Sequence, residues 1–330
     1  ISAANAGDMS VTGGADMTWI SKSNDTTGNP IGMGSNLTFK GNGELDNGWT
    51  VALTIANANS NAFSAANVDI GMGGLGSLNI NQGNSGNGLC GYDDKMPTAW
   101  EEAWGNGLST GIKLVCGVGS SMNIQYSTPT VLGTSLKLAV APVMGTTDTA
   151  DKGSGGSGSD GKHKGYDAVI NINPSLGTEI LSGLNVFAGA GYTDIAANGS
   201  TADEDTWEAV GGITFDIGPL SIGQGWSGHY NGEEVDADYN YYKQTMFGVA
   251  FNISDDLSLS YGEHTSYKAG VQSSNIQGAQ DLQKIQVESL QIAYTMGGAS
   301  IRLAETEGDN LHFSANNNKE VTVLSVGLAF

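Results

Sequence analysis

Apolar residues fall on every second position through stretch after stretch of this chain, with small or polar residues between them. In the last stretch, Leu324, Val326, Leu328 and Phe330 alternate with Ser325, Gly327 and Ala329. Trp49, Val51, Leu53 and Ile55 do the same around Thr50, Ala52 and Thr54, and Trp207, Ala209, Gly211, Ile213 and Phe215 repeat it later. A period of two places all these apolar groups on one face of a strand. Read this way from end to end, the chain predicts about sixteen strands.

The connections between them follow a second rhythm. One set is mostly tight and rich in turn residues, as at Asp46-Asn-Gly48, Gly218-Pro219, Ser254-Asp-Asp256 and Gly297-Gly298. The alternate set is mostly long and polar, near residues 24–30, 57–66, 83–120, 145–164, 196–204, 230–240, 265–284 and 305–319. Short and long connections taking turns are expected of an up-and-down barrel with turns at one rim and loops at the other. No run approaches the roughly 20 apolar residues of a spanning helix. The predicted fold is therefore all-β: a transmembrane antiparallel barrel forming a single domain over residues 1–330.

Lipid burial gives the pattern a cause. Backbone groups in hydrocarbon must be bonded internally, and a closed sheet leaves no edge. Outward residues then meet acyl chains and inward ones meet water. Trp19, Trp49, Tyr126, Tyr192, Trp207, Trp226, Tyr261 and Phe330 sit near strand ends, as interfacial girdles require. A soluble barrel would show the same apolar face, but its solvated face would carry many Lys and Glu, and these strands carry few.

Composition sharpens the picture. Of 330 residues, 50 are Gly, roughly twice the usual share. Acidic residues number 34 against 13 basic, a formal net charge of -21, and Arg302 is the one arginine. Nucleic acid is excluded as a partner, because phosphate contacts rest on Lys and Arg. The first residues show no signal-peptide pattern, so an exported protein would already have lost its leader.

The stretch 83–120 is much the longest connection and does not read as disordered, for it holds Leu89, Met96, Trp100, Trp104 and Leu108. It also holds both cysteines, Cys90 and Cys116. An even count in an exported protein favours a disulfide between them, worth ~3 kcal/mol through restriction of the unfolded chain. Two buried thiols are the alternative. A metal site is disfavoured because the segment contains no histidine.

Over its whole length the chain resembles a general diffusion porin of Gram-negative outer membranes, closest to the alphaproteobacterial branch. The likeness is carried by the acidic, Gly-rich strands, the terminal aromatic residue, the turn Gly73-Gly-Leu-Gly-Ser77 and the long third loop. It implies a third loop folded into the pore, with loop carboxylates facing basic groups on the wall. Asp93, Asp94, Glu101 and Glu102 are then the loop carboxylates. Strand parity turns Lys40, Lys137 and Arg302 inward, along with neutral or acidic residues such as Asp69, Asn79, Gln125, Asp167 and Glu208. So thin a basic wall does not supply a strong transverse field. The resemblance further implies a homotrimer among outer-membrane lipid and lipopolysaccharide, handled by the barrel-assembly machinery through Phe330.

Other strings weigh less. Gly71-Met-Gly73-Gly-Leu-Gly76 matches a dinucleotide fingerprint but leads into another strand instead of a helix. Gly107-Leu-Ser109-Thr-Gly111 matches a hydrolase elbow, which needs a strand-to-helix turn and a partnered histidine. His163, His229, His264 and His312 are scattered without that context. Glu233, Glu234, Asp236 and Asp238 could bind Ca²⁺ in an external loop, although a solvated loop tip explains them as well. No cofactor is required. The function expected is passive diffusion of small hydrophilic solutes and ions, with cations preferred, and not enzymatic. A substrate-specific channel is the alternative, followed by a barrel enzyme or adhesin.

Overall fold

A computed structural model describes residues 7–59, 61–82, 86–145, 162–174, 181–195, 205–230, 241–270 and 280–330. Sixteen strands form one closed antiparallel barrel. The first six are β1 (Met9–Ser23), β2 (Ile31–Glu44), β3 (Thr50–Ala58), β4 (Asn61–Gly71), β5 (Ser77–Gln82) and β6 (Met122–Ser127). Next come β7 (Thr134–Ala141), β8 (Lys162–Ile172), β9 (Leu184–Ile195), β10 (Thr206–Ile217) and β11 (Leu220–Tyr230). The last five are β12 (Tyr241–Asn252), β13 (Leu257–Gly270), β14 (Gln280–Met296), β15 (Ala299–Asp309) and β16 (Lys319–Ala329). Each strand pairs with its neighbours in sequence, and β1 pairs with β16 to close the ring.

Strand parity settles inside from outside. Leu257, Leu259, Ile292, Leu303, Leu324 and Trp19 point outward, while Ser260, Gln291 and Ser325 on the same strands make contacts inside the barrel. The outward belt is apolar in its lower half and changes abruptly on β13–β16. There Glu263 pairs with Glu288, Glu288 with Glu307, and Glu307 with Glu320, one outward-facing row across four strands. Carboxylates in hydrocarbon are costly, so this row marks where the belt ends toward the long loops.

Two connections depart from the sequence reading. In one, β13 continues to Gly270 and β14 begins at Gln280, inside the loop expected over 265–284. The other lies between β3 and β4. Residues 57–66 form no long loop: Ala58 pairs with Asn61, and β4 begins there. Asn59 takes a left-handed backbone (φ 54°), donates its N–H to the Ser35 carbonyl (2.6 Å) and accepts from the Ser35 N–H through its side chain (3.1 Å). The stretch Asn57-Ala-Asn59 lacks apolar alternation, and backbone bonds to β2 supply what the pattern could not indicate. The string at Gly73–Leu75 is a single 3-10 turn between β4 and β5, so it is a hairpin connection.

The largest apolar clusters sit within the barrel, where the third loop lies on its wall. Leu89, Tyr92 and Val115 of the loop pack on Val169, Phe187 and Val210, and Ala103 and Leu108 pack on Ile285, Val287, Val321 and Val323. These inward strand positions are buried by the loop, which is why they are apolar on the face that otherwise holds polar groups.

Candidate functional site

The loop between β5 and β6, here L3, enters the barrel on two carboxylate anchors. Asp167 on β8 accepts from the backbone N–H of Leu89 (2.9 Å) and of Val118 (3.0 Å) through one oxygen. Glu208 on β10 accepts from the N–H groups of Cys116 (3.1 Å) and Gly117, and its other oxygen lies 2.5 Å from Nδ1 of His229 on β11. Each carboxylate thus ties an outgoing or returning arm of L3 to the wall. Asn87 adds bonds to Asn79 (2.8 Å) and Asn123 (2.7 Å), and the Gly88 N–H donates to Gln125 (2.9 Å). Gly117 is required here: its φ is +51°, and a Cβ would sit 2.2 Å from an Asp167 oxygen. Cys90 and Cys116 join the two arms by a disulfide at the same level.

From these feet L3 runs along the wall to β14. Met96 and Pro97 lie on glycines of β11 and β12; at Gly248 a Cβ would meet the Pro97 carbonyl at 2.6 Å, so only the bare backbone lets the loop lie this close. The tip is then sewn down. Ala99 N–H donates to Ser260 (2.8 Å), while Gln291 accepts from the Glu101 N–H (3.0 Å) and donates to its carbonyl (2.6 Å). Asn106 reaches Ser289 (3.1 Å).

On its way back L3 meets the β15–β16 connection. The His312 N–H donates to the Thr110 carbonyl (2.8 Å), and Ser109 Oγ lies 3.3 Å from His312 Nε2. The sequence reading gave Ser109 no partnered histidine, and the structure corrects that, because the two are 203 residues apart and meet only through the closed barrel. The serine is on a loop, not a strand-to-helix turn, and the pair is a contact between L3 and the β15–β16 connection.

The predicted charged residues separate into distinct places. Asp94 is exposed and pairs with Lys95 at 3.5 Å. Asp93, Glu101 and Glu102 are half-buried and line a small cavity between the loop tip and the wall. Burial, then the hydrogen bond with Glu101, pushes the Glu102 carboxyl up to about 8, and burial with the nearby Asp94 charge raises Asp93 to about 6. Arg302 does point inward, held 3.0 Å from Asp16 on β1 with Trp100 of the tip 5.7 Å away. Lys137 also points inward, 5.2 Å from the ring centre of Tyr92. Lys40 shares the inward face of β2 with Gly34, which pairs with Asp16, and is exposed. The three basic groups are therefore not a cluster. Glu233, Glu234, Asp236 and Asp238 lie outside the described residues. Among those described, no group of three His, Cys, Asp or Glu residues is arranged to hold a metal ion.

Asp16, Tyr92, Lys95 and Gln291 take part in this site without having been singled out, and His264 was named only as a histidine without catalytic context. Parity within β1 could have found Asp16, since it sits between the outward Ala15 and Met17. The others depend on where L3 lies, which strand patterns do not encode.

The profile of the Gram-negative porin family matches residues 2–330. The chain belongs to that family. This porin is located in the outer membrane and is a channel for passive diffusion, not an enzyme. Among solved structures it is similar to the anion-selective porin of Comamonas acidovorans, at 12% identity over 98% of this chain and 99% of that one, with a TM-score of 0.66. Salmonella typhi OmpF, solved with daunomycin, gives 13% identity over 98% of both chains and a TM-score of 0.69. The trimer form of Vibrio cholerae OmpT gives 13% over 99% and 100%, at 0.64. No curated protein sequence matches the chain.

Proposed function

We propose that this porin passes small hydrophilic solutes and prefers cations, with L3 as its constriction. One observation carries the reading: L3 lies inside the barrel, bonded at both feet and at the tip, and brings Asp93, Asp94, Glu101 and Glu102 into the lumen. The basic groups named for the wall do not form a cluster that would offset them. Arg302 is paired with Asp16 and Lys95 with Asp94, Lys137 lies over the Tyr92 ring, and Lys40 is on β2. With a net charge of -21, the lumen favours positive ions.

The assembly is a homotrimer, by analogy with the trimer form of the Vibrio cholerae relative, and its apolar belt meets lipid and lipopolysaccharide. A membrane potential measured across a bilayer with unequal KCl tests the charge preference. A sign showing excess potassium permeability supports it, and excess chloride permeability would reverse it. Swelling of liposomes in neutral sugars of increasing size tests the pore itself.

A further inference from the structure

A recess of about 550 Å³ lies in the inward wall on the side of the short β14–β15 turn. Ligand clefts span about 300–1,000 Å³, so it has room for a small solute. Its floor is nearly bare. Strand register sets Ser300, Gly327, Asp16 and Gly34 side by side in one inward row. In the next row toward the turn, Gly14 sits between Ala329 and Asn36. The space over Gly327 belongs to its neighbours: a Cβ there would lie 2.7 Å from Ser300 Oγ and 3.1 Å from an Arg302 nitrogen.

Two opposite charges are held together over this floor. Arg302 donates to one oxygen of Asp16 at 3.0 Å, and Ser325 donates to the other. On its far side the guanidinium carbon lies 5.7 Å from the ring centre of Trp100 at the L3 tip. The pair is therefore fixed before any solute arrives, yet both partners keep part of their surface open. Among the described residues, Asp16 and Arg302 are the charged groups that line the recess. Asn36 and Asn59 add an amide each at its edge, and Asn59 Oδ1 would stand 3.4 Å from a Cβ on Gly34.

An ion of either sign gains little from such a pair. A carboxylate drawn to Arg302 meets Asp16, and an ammonium drawn to Asp16 meets Arg302. A hydroxyl uses both partners, because it donates to a carboxylate and accepts from a guanidinium. We propose that the recess binds neutral polyhydroxylated solutes, the chemical class of sugars, with neighbouring hydroxyls on the Asp16–Arg302 pair and the C–H face of the ring on the glycine and alanine floor. The proposal rests on the water-filled pore described above and adds a saturable stop to its route.

Ion current through the purified protein in a planar bilayer, recorded while D-glucose is titrated in, tests this. The current should fall along a saturating curve. A short polyethylene glycol of matched size, which lacks neighbouring hydroxyls, should lower it only in proportion to its concentration. Asp16→Asn should raise the half-blocking glucose concentration about tenfold, the weight of a hydrogen bond to a charged group. Asp16→Asn combined with Arg302→Gln leaves neither charge unpaired and should abolish the saturation, which keeps the test decisive where the single variant fails to fold. Each variant's sugar-free current is its own reference. A strictly proportional fall with glucose in the unmodified channel overturns the proposal and leaves the pore standing. Saturation that survives in the double variant, or a block relieved by acetate, overturns it as well. Absence of conducting steps before any sugar is added would overturn the pore reading instead.

Discussion

Gly117 illustrates how much of L3 depends on single residues. Its left-handed backbone turns two N–H groups toward Glu208 while the Asp167 carboxylate crowds its Cα. Gly117→Ala would strain φ and collide with Asp167, a cost of about 1–3 kcal/mol confined to the loop. The expected outcome is faster protease cleavage within L3, with the barrel intact on a semi-native gel. Cleavage as slow as in the parent would show that the foot does not need this glycine. Asp167 and Glu208 were legible as inward by parity, since each flanks outward apolar neighbours. Their task was not, because nothing in β8 or β10 records that backbone from residues 88–118 comes to rest there.

At the scale of elements, strands and L3 were readable to different degrees, for a physical reason. An outward position has one environment, lipid, so its residue type repeats with a period of two. An inward position faces either water or the loop. Thus Asn79 and Gln125 are polar where they meet the loop's polar foot, while Phe187, Ile285 and Val323 are apolar beneath its apolar side chains. The β3–β4 hairpin was misread because its polar tip is held by the backbone and side chain of Asn59 bonding to Ser35 and not by side-chain alternation. The disulfide adds a further constraint to a loop already tied at both feet. Replacing both cysteines by serine should therefore leave the mean conductance nearly unchanged but increase current noise, with loss of about 2–4 kcal/mol restricted to the loop. Collapse of the conductance would mean that the disulfide, and not the carboxylate feet, positions L3.

For the whole molecule, the outward surface joins an apolar belt to an acidic upper edge. In the row Glu263, Glu288, Glu307 and Glu320, like charges face each other across adjacent strands, which is unfavourable. Glu288→Gln removes one charge between two others and should stabilise the barrel by about 0.2–1 kcal/mol at low ionic strength. Thermal unfolding in detergent measures this, and a lowered midpoint would contradict the repulsion. Four such carboxylates in one row also fix the limit of the belt, and so the side on which the long connections stand.

The central claim is that the outward wall lies against acyl chains and the inward wall encloses a water-filled path past L3. Single-channel recording of the purified protein in a planar lipid bilayer tests it most directly. The account predicts discrete conductance steps that scale with the bulk conductivity of KCl and shrink when polymers small enough to enter the pore are added. A bilayer that stays silent with correctly folded protein inserted would contradict it.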